Sequence, residues 1–191
     1  MFYYPTTDIE ISEYIKPTVK IEAGARSALD PNQITTIKPY IEGGVPNLDL
    51  TVSNIVTIKA ERTFWDKIVI LHGLRRWHDN RGVLRQQGHR ISRHYYDIYK
   101  LIHSHVAQNA ITDHSLALDC ANHAKMFFNS RDQDLENAIP GSLSLSPTAE
   151  MIEILEKDYQ AMTGMIFGEV PKFSNVLQAI SDLESQLNKK I

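Results

Sequence analysis

The sequence predicts an α+β protein, a small β-sheet followed by a C-terminal helical bundle, and three observations carry that prediction. Residues 16–58 are crowded with β-branched side chains and turn-formers, and the apolar period switches to a helical one at Ala60. Of the 191 residues, 42% are hydrophobic and 23% charged, the balance of a chain with a core to bury rather than a disordered or fibrous one. The expected division is a β region over 1–58 and a helical region over 59–191.

The strands come first. Val19-Lys20-Ile21-Glu22-Ala23 alternates apolar with polar, Thr35 to Ile41 is β-rich, and Val52 to Ile58 is dense in β-branched residues. Gly24, Gly43, Gly44, Pro31, Pro39 and Pro46 punctuate them. Five helical segments follow, at about 60–78, 89–107, 113–128, 147–163 and 171–188. The fourth starts with Ser146 as N-cap and Pro147 at the first helical position, and stops at Gly164. The fifth sets Phe173, Val176, Leu177, Ile180, Leu183 and Leu187 on one stripe. Asp79 to Gly88, polar with two glycines, is expected to be a mobile loop.

Several function classes drop out. No apolar run approaches the roughly 20 residues that cross a bilayer, so no membrane partner is expected. The opening Met1-Phe2-Tyr3-Tyr4-Pro5 has no basic n-region, which predicts a cytoplasmic protein. The single cysteine, Cys120, stands among apolar neighbours and reads as a small core residue. There is no Walker-type loop and no Cys-x-x-Cys pair; His103 and His105, two apart on a helix, point away from each other and share no metal. The net charge of -3 hides an asymmetry: Lys59 to Lys100 carries ten Lys or Arg against four acids, +6 locally and -9 elsewhere. Such a block suits either a phosphate-bearing ligand or a solvated helix surface.

Two charged residues fall in apolar stripes. With each residue about 100° further round a helix, Ala60, Phe64, Ile68, Leu71 and Leu74 share a face, and Lys67 lies within it. That ammonium must either snorkel to water or meet an anion. In the next helix Ile91, Tyr95, Ile98, Leu101 and Ile102 form the buried face, with His94 inside the stripe and Asp97 on its shoulder. Asp97 has two readings: an i, i+4 partner of Arg93, or a carboxylate that shares a cleft with Lys67 and His94 and there holds a triphosphate.

Three stretches, in this order and spacing, carry a resemblance: Val19 to Arg26, Ala60-Glu61-Arg62-Thr63-Phe64-Trp65-Asp66-Lys67, and Arg90 to Tyr99 with His94-Tyr95-Tyr96-Asp97 inside it. Together with Ile139-Pro140-Gly141-Ser142-Leu143 and Met165-Ile166-Phe167-Gly168-Glu169 they resemble the AbiEii/AbiGii toxin family of nucleotidyltransferases over nearly the whole chain. The resemblance implies a nucleotidyltransferase-like fold, with 1–58 the remnant of a small mixed sheet. It implies the toxin of a toxin–antitoxin, abortive-infection pair with a cognate antitoxin. Such a toxin transfers a nucleotide from a nucleoside triphosphate to a tRNA, another RNA or a protein, with Mg²⁺. The lysine of the family's third motif falls on Lys67 and the aspartate of its fourth on Asp97, the implied catalytic pair. Glu22, Arg26, Arg93 and His94 are the further candidates for nucleotide contact.

The departure from the family lies in the two earlier motifs, a glycine-rich triphosphate turn and a strand Asp-x-Asp or Asp-x-Glu that binds the metal. Asp132-Gln133-Asp134 has the spelling but sits in a polar link expected to be solvated, Asp8-Ile9-Glu10 follows no glycine-rich turn, and Gly141-Ser142 comes too late. The motifs are expected to lie before Met1, so the chain is expected to be truncated, to hold no metal and to be inactive alone. A strand edge exposed in this way favours homo-oligomers. The competing readings are a non-catalytic module that binds RNA or the antitoxin through its basic helices, and a structural remnant.

Overall fold

In the computed structural model, residues 2–3, 18–19, 21, 23–44, 48–85 and 90–189 are described. Strand β1 (Phe2–Tyr3) pairs antiparallel with β2 (Thr18–Val19), and β3 (Asn32–Ile37) pairs antiparallel with β4 (Val52–Ile58). The second ribbon sets Ile34 against Val56 and Thr35 against Ile55, then slips by a bulge so that Ile37 meets Val52. Asn54, beside the slip, takes the left-handed conformation that a short amide side chain tolerates. A 3-10 helix, Tyr40–Gly44, replaces the end of the expected Thr35 to Ile41 strand. The α+β class holds, but every described strand pair is antiparallel; the parallel component of a mixed sheet is not among the described residues.

Six α-helices follow: α1 (Ala60–Arg81), α2 (Ser92–Ile102), α3 (His105–Ala110), α4 (His114–Phe128), α5 (Ala149–Met162) and α6 (Phe173–Leu187). Helix α1 is the axis. Phe64, Trp65, Ile68, Val69, Leu71, His72 and Leu74 are all buried, so its apolar surface is wider than one stripe, and α2, α3 and α4 pack around it. Helix α6 presents the predicted face, with Phe173, Val176, Ile180, Leu183 and Leu187 buried, and packs on α2. Cys120 is buried in this core, and burial together with Asp66 pushes its thiol pKa up, which suits an inert packing residue. Among the described residues no helix is long and apolar enough to cross a membrane.

Several boundaries differ from expectation for local reasons. Helix α1 continues through Asp79, Asn80 and Arg81 and ends at Gly82, whose left-handed φ of 67° and N–H to His78 O (2.8 Å) close it. Residues 79–81 of the expected loop are therefore helical, and residues 86–89 lie outside the described ones. The expected 89–107 helix breaks at Ser104, whose side chain accepts from Val106 N (3.2 Å) and starts α3. The cap of α5 is Thr148, accepting from Met151 N, rather than Ser146; Ser146 donates its N–H (2.9 Å) and its hydroxyl to Glu184 instead.

The segment 129–135 is not a solvated link. Asp132 pairs with Arg81 (2.6 Å), Asp134 with Arg76 (3.2 Å), and Gln133 is buried against α1. Gly73 makes that docking possible, since a Cβ there would stand 3.0 Å from Gln133 Nε2.

Candidate functional site

The helix pair α1–α2 brings together the charged residues that sit in apolar stripes. Lys67 Nζ donates to Asp97 Oδ2 at 2.6 Å and lies 3.0 Å from His94 Nδ1. The lysine is 20% exposed and the aspartate 39%, so the pair lies at the edge of the core rather than in open water. Burial, then Lys67 and Arg93, push the His94 pKa down to about 3, so the imidazole is neutral near pH 7. An ammonium has only donors, so His94 Nδ1 accepts, and the ring proton resides on Nε2. The cluster thus keeps one further ammonium N–H and one imidazole N–H to offer a ligand.

Two neighbours hold these groups in place. Helix α2 lacks a cap of its own; Asp158 on α5 supplies it, accepting from Arg90 N (2.7 Å), Ser92 N (2.8 Å) and Ser92 Oγ (2.6 Å). On α1, Arg62 is 2% exposed and bonds to Asp119 Oδ2 of α4 (2.6 Å) and to the carbonyl of Asp30. One guanidinium thereby ties α1 to α4 and to the chain entering β3.

A cavity of about 730 Å³ opens beside the cluster, within the size range of small-ligand sites. His94 and Arg93 from α2 line one side, Asp66 and Val69 from α1 the floor, and Arg26 and Arg85 further parts of the wall. His123, Phe127 and Phe128 from α4 form an aromatic side, with ring centroids 4.9 Å apart for His123 and Phe127 and 6.5 Å for the two phenylalanines. Burial pushes the Asp66 carboxyl above its ordinary range, with Arg62 opposing the shift.

Of the residues singled out from the sequence, Lys67 contacts both Asp97 and His94, and Arg26, Arg93 and His94 line one cavity. Lys67 and Asp97 stand beside that cavity, not in its wall. Glu22 lies outside the described residues. Sequence reasoning missed Asp66, Arg85, His123, Phe127, Phe128 and Gln133. The signals were present for three of them: Asp66 adjoins Lys67 in the same motif, and Phe127 and Phe128 stand side by side at the end of the 113–128 segment. The basic block is also less free than its charge suggested. Arg62, Arg75, Arg76 and Arg81 are engaged with Asp119, Asp79, Asp134 and Asp132, while Arg85 and Arg93 of the same block line the cavity.

A divalent metal asks for several oxygen donors in one place. Among the described residues no three His, Cys, Asp or Glu side chains are grouped to hold one, and the Asp97 oxygen nearest the cluster already accepts from Lys67. The described residues therefore do not fit a resident metal.

Cationic and imidazole donors thus stand beside an aromatic-walled cavity on an α+β frame, and the protein is of the nucleotidyltransferase toxin class by its family match. The family model described as nucleotidyl transferase AbiEii toxin, type IV toxin–antitoxin system, matches residues 1–179, and the chain belongs to that family. Membership brings a nucleoside triphosphate substrate, divalent-metal chemistry and a cognate antitoxin as general properties of the family. No curated protein and no solved structure matches the chain.

Proposed function

We propose that this chain supplies the nucleotide-holding part of a toxin that transfers a nucleotide from a nucleoside triphosphate to an RNA or protein acceptor. In this reading Lys67 carries the charge that meets the phosphates, and Asp97 fixes the ammonium in place. His94, Arg93 and Arg26 add donors toward the bound nucleotide, and Glu22, through its position in the family motif, adds a carboxylate, which can only accept. The supporting observation is the convergence itself: Lys67 Nζ sits 2.6 Å from Asp97 and 3.0 Å from His94, which in turn lines the cavity. A phosphate oxygen accepting the third ammonium N–H meets a donor whose direction two neighbours have already set, the arrangement that preorganised charge stabilisation requires. Transfer also needs metal-binding carboxylates that the described residues do not group, so this chain on its own is proposed to bind nucleotide without turning it over.

The test is nucleotide affinity of Lys67→Met, which keeps the aliphatic stem and removes the charge. Affinity for a nucleoside triphosphate is expected to fall about tenfold to a hundredfold, the worth of one or two charge-assisted hydrogen bonds. The thermal midpoint should stay within a few degrees of the parent chain. A folded variant that binds as tightly as the parent removes Lys67 from the site.

The alternative, a module that binds RNA or the antitoxin through an extended basic face, draws support from the +6 balance of residues 59–100. The ion pairs of Arg62, Arg75, Arg76 and Arg81 with neighbouring aspartates weigh against it, because phosphate contacts along a duplex need cations with no carboxylate already on them.

A further inference from the structure

We propose that the cavity between α1, α2 and α4 is the subsite for the nucleobase, with the aromatic end of α4 as its stacking wall. The inference rests on the nucleotide reading above and assigns a place to the part of the ligand that reading leaves open. The cavity begins one imidazole ring away from the Lys67 ammonium, since His94 both accepts from Lys67 and lines the wall. A nucleotide whose phosphates engage Lys67 and Arg93 extends its ribose and base past that ring, into the space flanked by His123, Phe127 and Phe128.

Two features of the wall match a base rather than an aliphatic or purely anionic ligand. The first is the aromatic group at the C-terminal end of α4. Phe127 and Phe128 remain partly exposed, with their ring centroids 6.5 Å apart and His123 4.9 Å from Phe127. Solvent-facing aromatic faces at a cavity mouth gain most from a flat π-system laid against them. The second is Gln133. It lines the same cavity, is only 9% exposed, and its Oε1 is buried with no hydrogen-bond partner among the described residues. An unpaired buried amide oxygen is a standing cost that a ligand N–H removes. Base edges present N–H donors next to acceptors, the pattern a glutamine amide complements. The arginines at the border, Arg85 and Arg93, exclude a wholly apolar occupant, which would strip water from them without replacing it.

The experiment separates base from phosphates. The full chain is titrated in magnesium-containing buffer with the four ribonucleoside triphosphates and with inorganic triphosphate, by calorimetry. At least one nucleotide is expected to bind about tenfold or more tighter than inorganic triphosphate. The double substitution Phe127→Ala/Phe128→Ala is expected to lower that nucleotide's affinity about 10- to 100-fold, toward the inorganic level. Affinity for inorganic triphosphate should be unchanged, and Gln133→Leu should lower nucleotide affinity alone in the same sense. Equal binding of all five ligands, or a double variant that still prefers the nucleotide, overturns the base subsite and leaves the role of Lys67 standing. Failure of every ligand to bind overturns the nucleotide reading and this one with it.

Discussion

The β3–β4 ribbon and the helical part of this chain are built on opposite principles. Every buried apolar residue among the described ones lies at Phe64 or later, whereas Ile34, Ile37, Val52 and Val56 of the ribbon are exposed. The helices are held by what they remove from water. The ribbon is held by its backbone ladder, by the Thr35–Thr57 hydroxyl pair (2.8 Å), and by polar contacts to the start of α1: Lys59 N to Pro31 O (2.9 Å) and the Arg62 guanidinium to Asp30 O. Two-stranded ribbons are marginal in isolation, so this one depends on its attachment. The candidate site belongs to the helical part, with Arg26 and the end of β4 touching the cavity from the ribbon side.

The widest gap between the two regions should appear in truncations. Leu155→Ala, in the fully buried interior of α5, is expected to lower unfolding free energy by about 2–5 kcal/mol. Val56→Ala, on the open face of β4, should cost under about 1 kcal/mol. Urea unfolding of both variants checks this, and equal losses would show that the ribbon is as buried in solution as the helices.

The attachment itself is sharper. Arg62 is 2% exposed and Asp119, its partner, 63%. Removing the exposed member is expected to hurt more: Asp119→Ala leaves a buried guanidinium with only the more distant Asp66 carboxylate, 3.8 Å from its Nε, a loss of about 3 kcal/mol. Arg62→Met leaves only a hydrated aspartate and fills the space with an apolar stem, a loss of about 1–2 kcal/mol. The second variant should also release the ribbon, read as faster amide exchange over residues 32–58 with α5 unchanged. If Arg62→Met leaves amide exchange over residues 32–58 unchanged, the guanidinium is not the tie between the regions.

Legibility followed the same divide. Helical periodicity located the buried faces of α2 and α6 because burial and the 3.6-residue period coincide there, and it exposed Lys67 and His94 because a charge or an imidazole in an apolar stripe stands out in one dimension. The break at Ser104 stayed hidden because apolar residues continue in phase across it, and α1 looked shorter because Asp79, Asn80 and Arg81 face partners at Arg75, Asp132 O and Asp132 rather than the core. The cavity was not readable at all. Its wall joins Arg26, Asp66, Arg93, His123 and Gln133, residues from five separate segments, and no local pattern records that they meet. Gln133 was the most misleading, since a polar tripeptide between helices reads as solvent-facing until Gly73 on the opposite helix is seen to admit it.

The smallest effect tests whether the site residues obey the burial logic of the helices. His94, held at about 3 by burial, Lys67 and Arg93, stays neutral in the folded chain but takes up a proton on unfolding once the pH falls below its ordinary 6.5. The unfolded state then binds more protons than the folded one, so this contribution to stability is complete above pH 6.5 and is lost as the pH falls toward 3. Its slope is at most about 1.4 kcal/mol per pH unit for one proton. His72, whose pKa burial also lowers, acts in the same direction, while Asp66, raised by burial, acts in the opposite one at the acid end. Comparing the parent chain with His94→Gln cancels both and isolates the one imidazole. The variant should lose less stability on acidification, with the two curves converging as the pH drops. Parallel curves would mean that His94 is hydrated and free to protonate, and Lys67 would then face a cation rather than an acceptor, leaving Asp97 as its sole anchor.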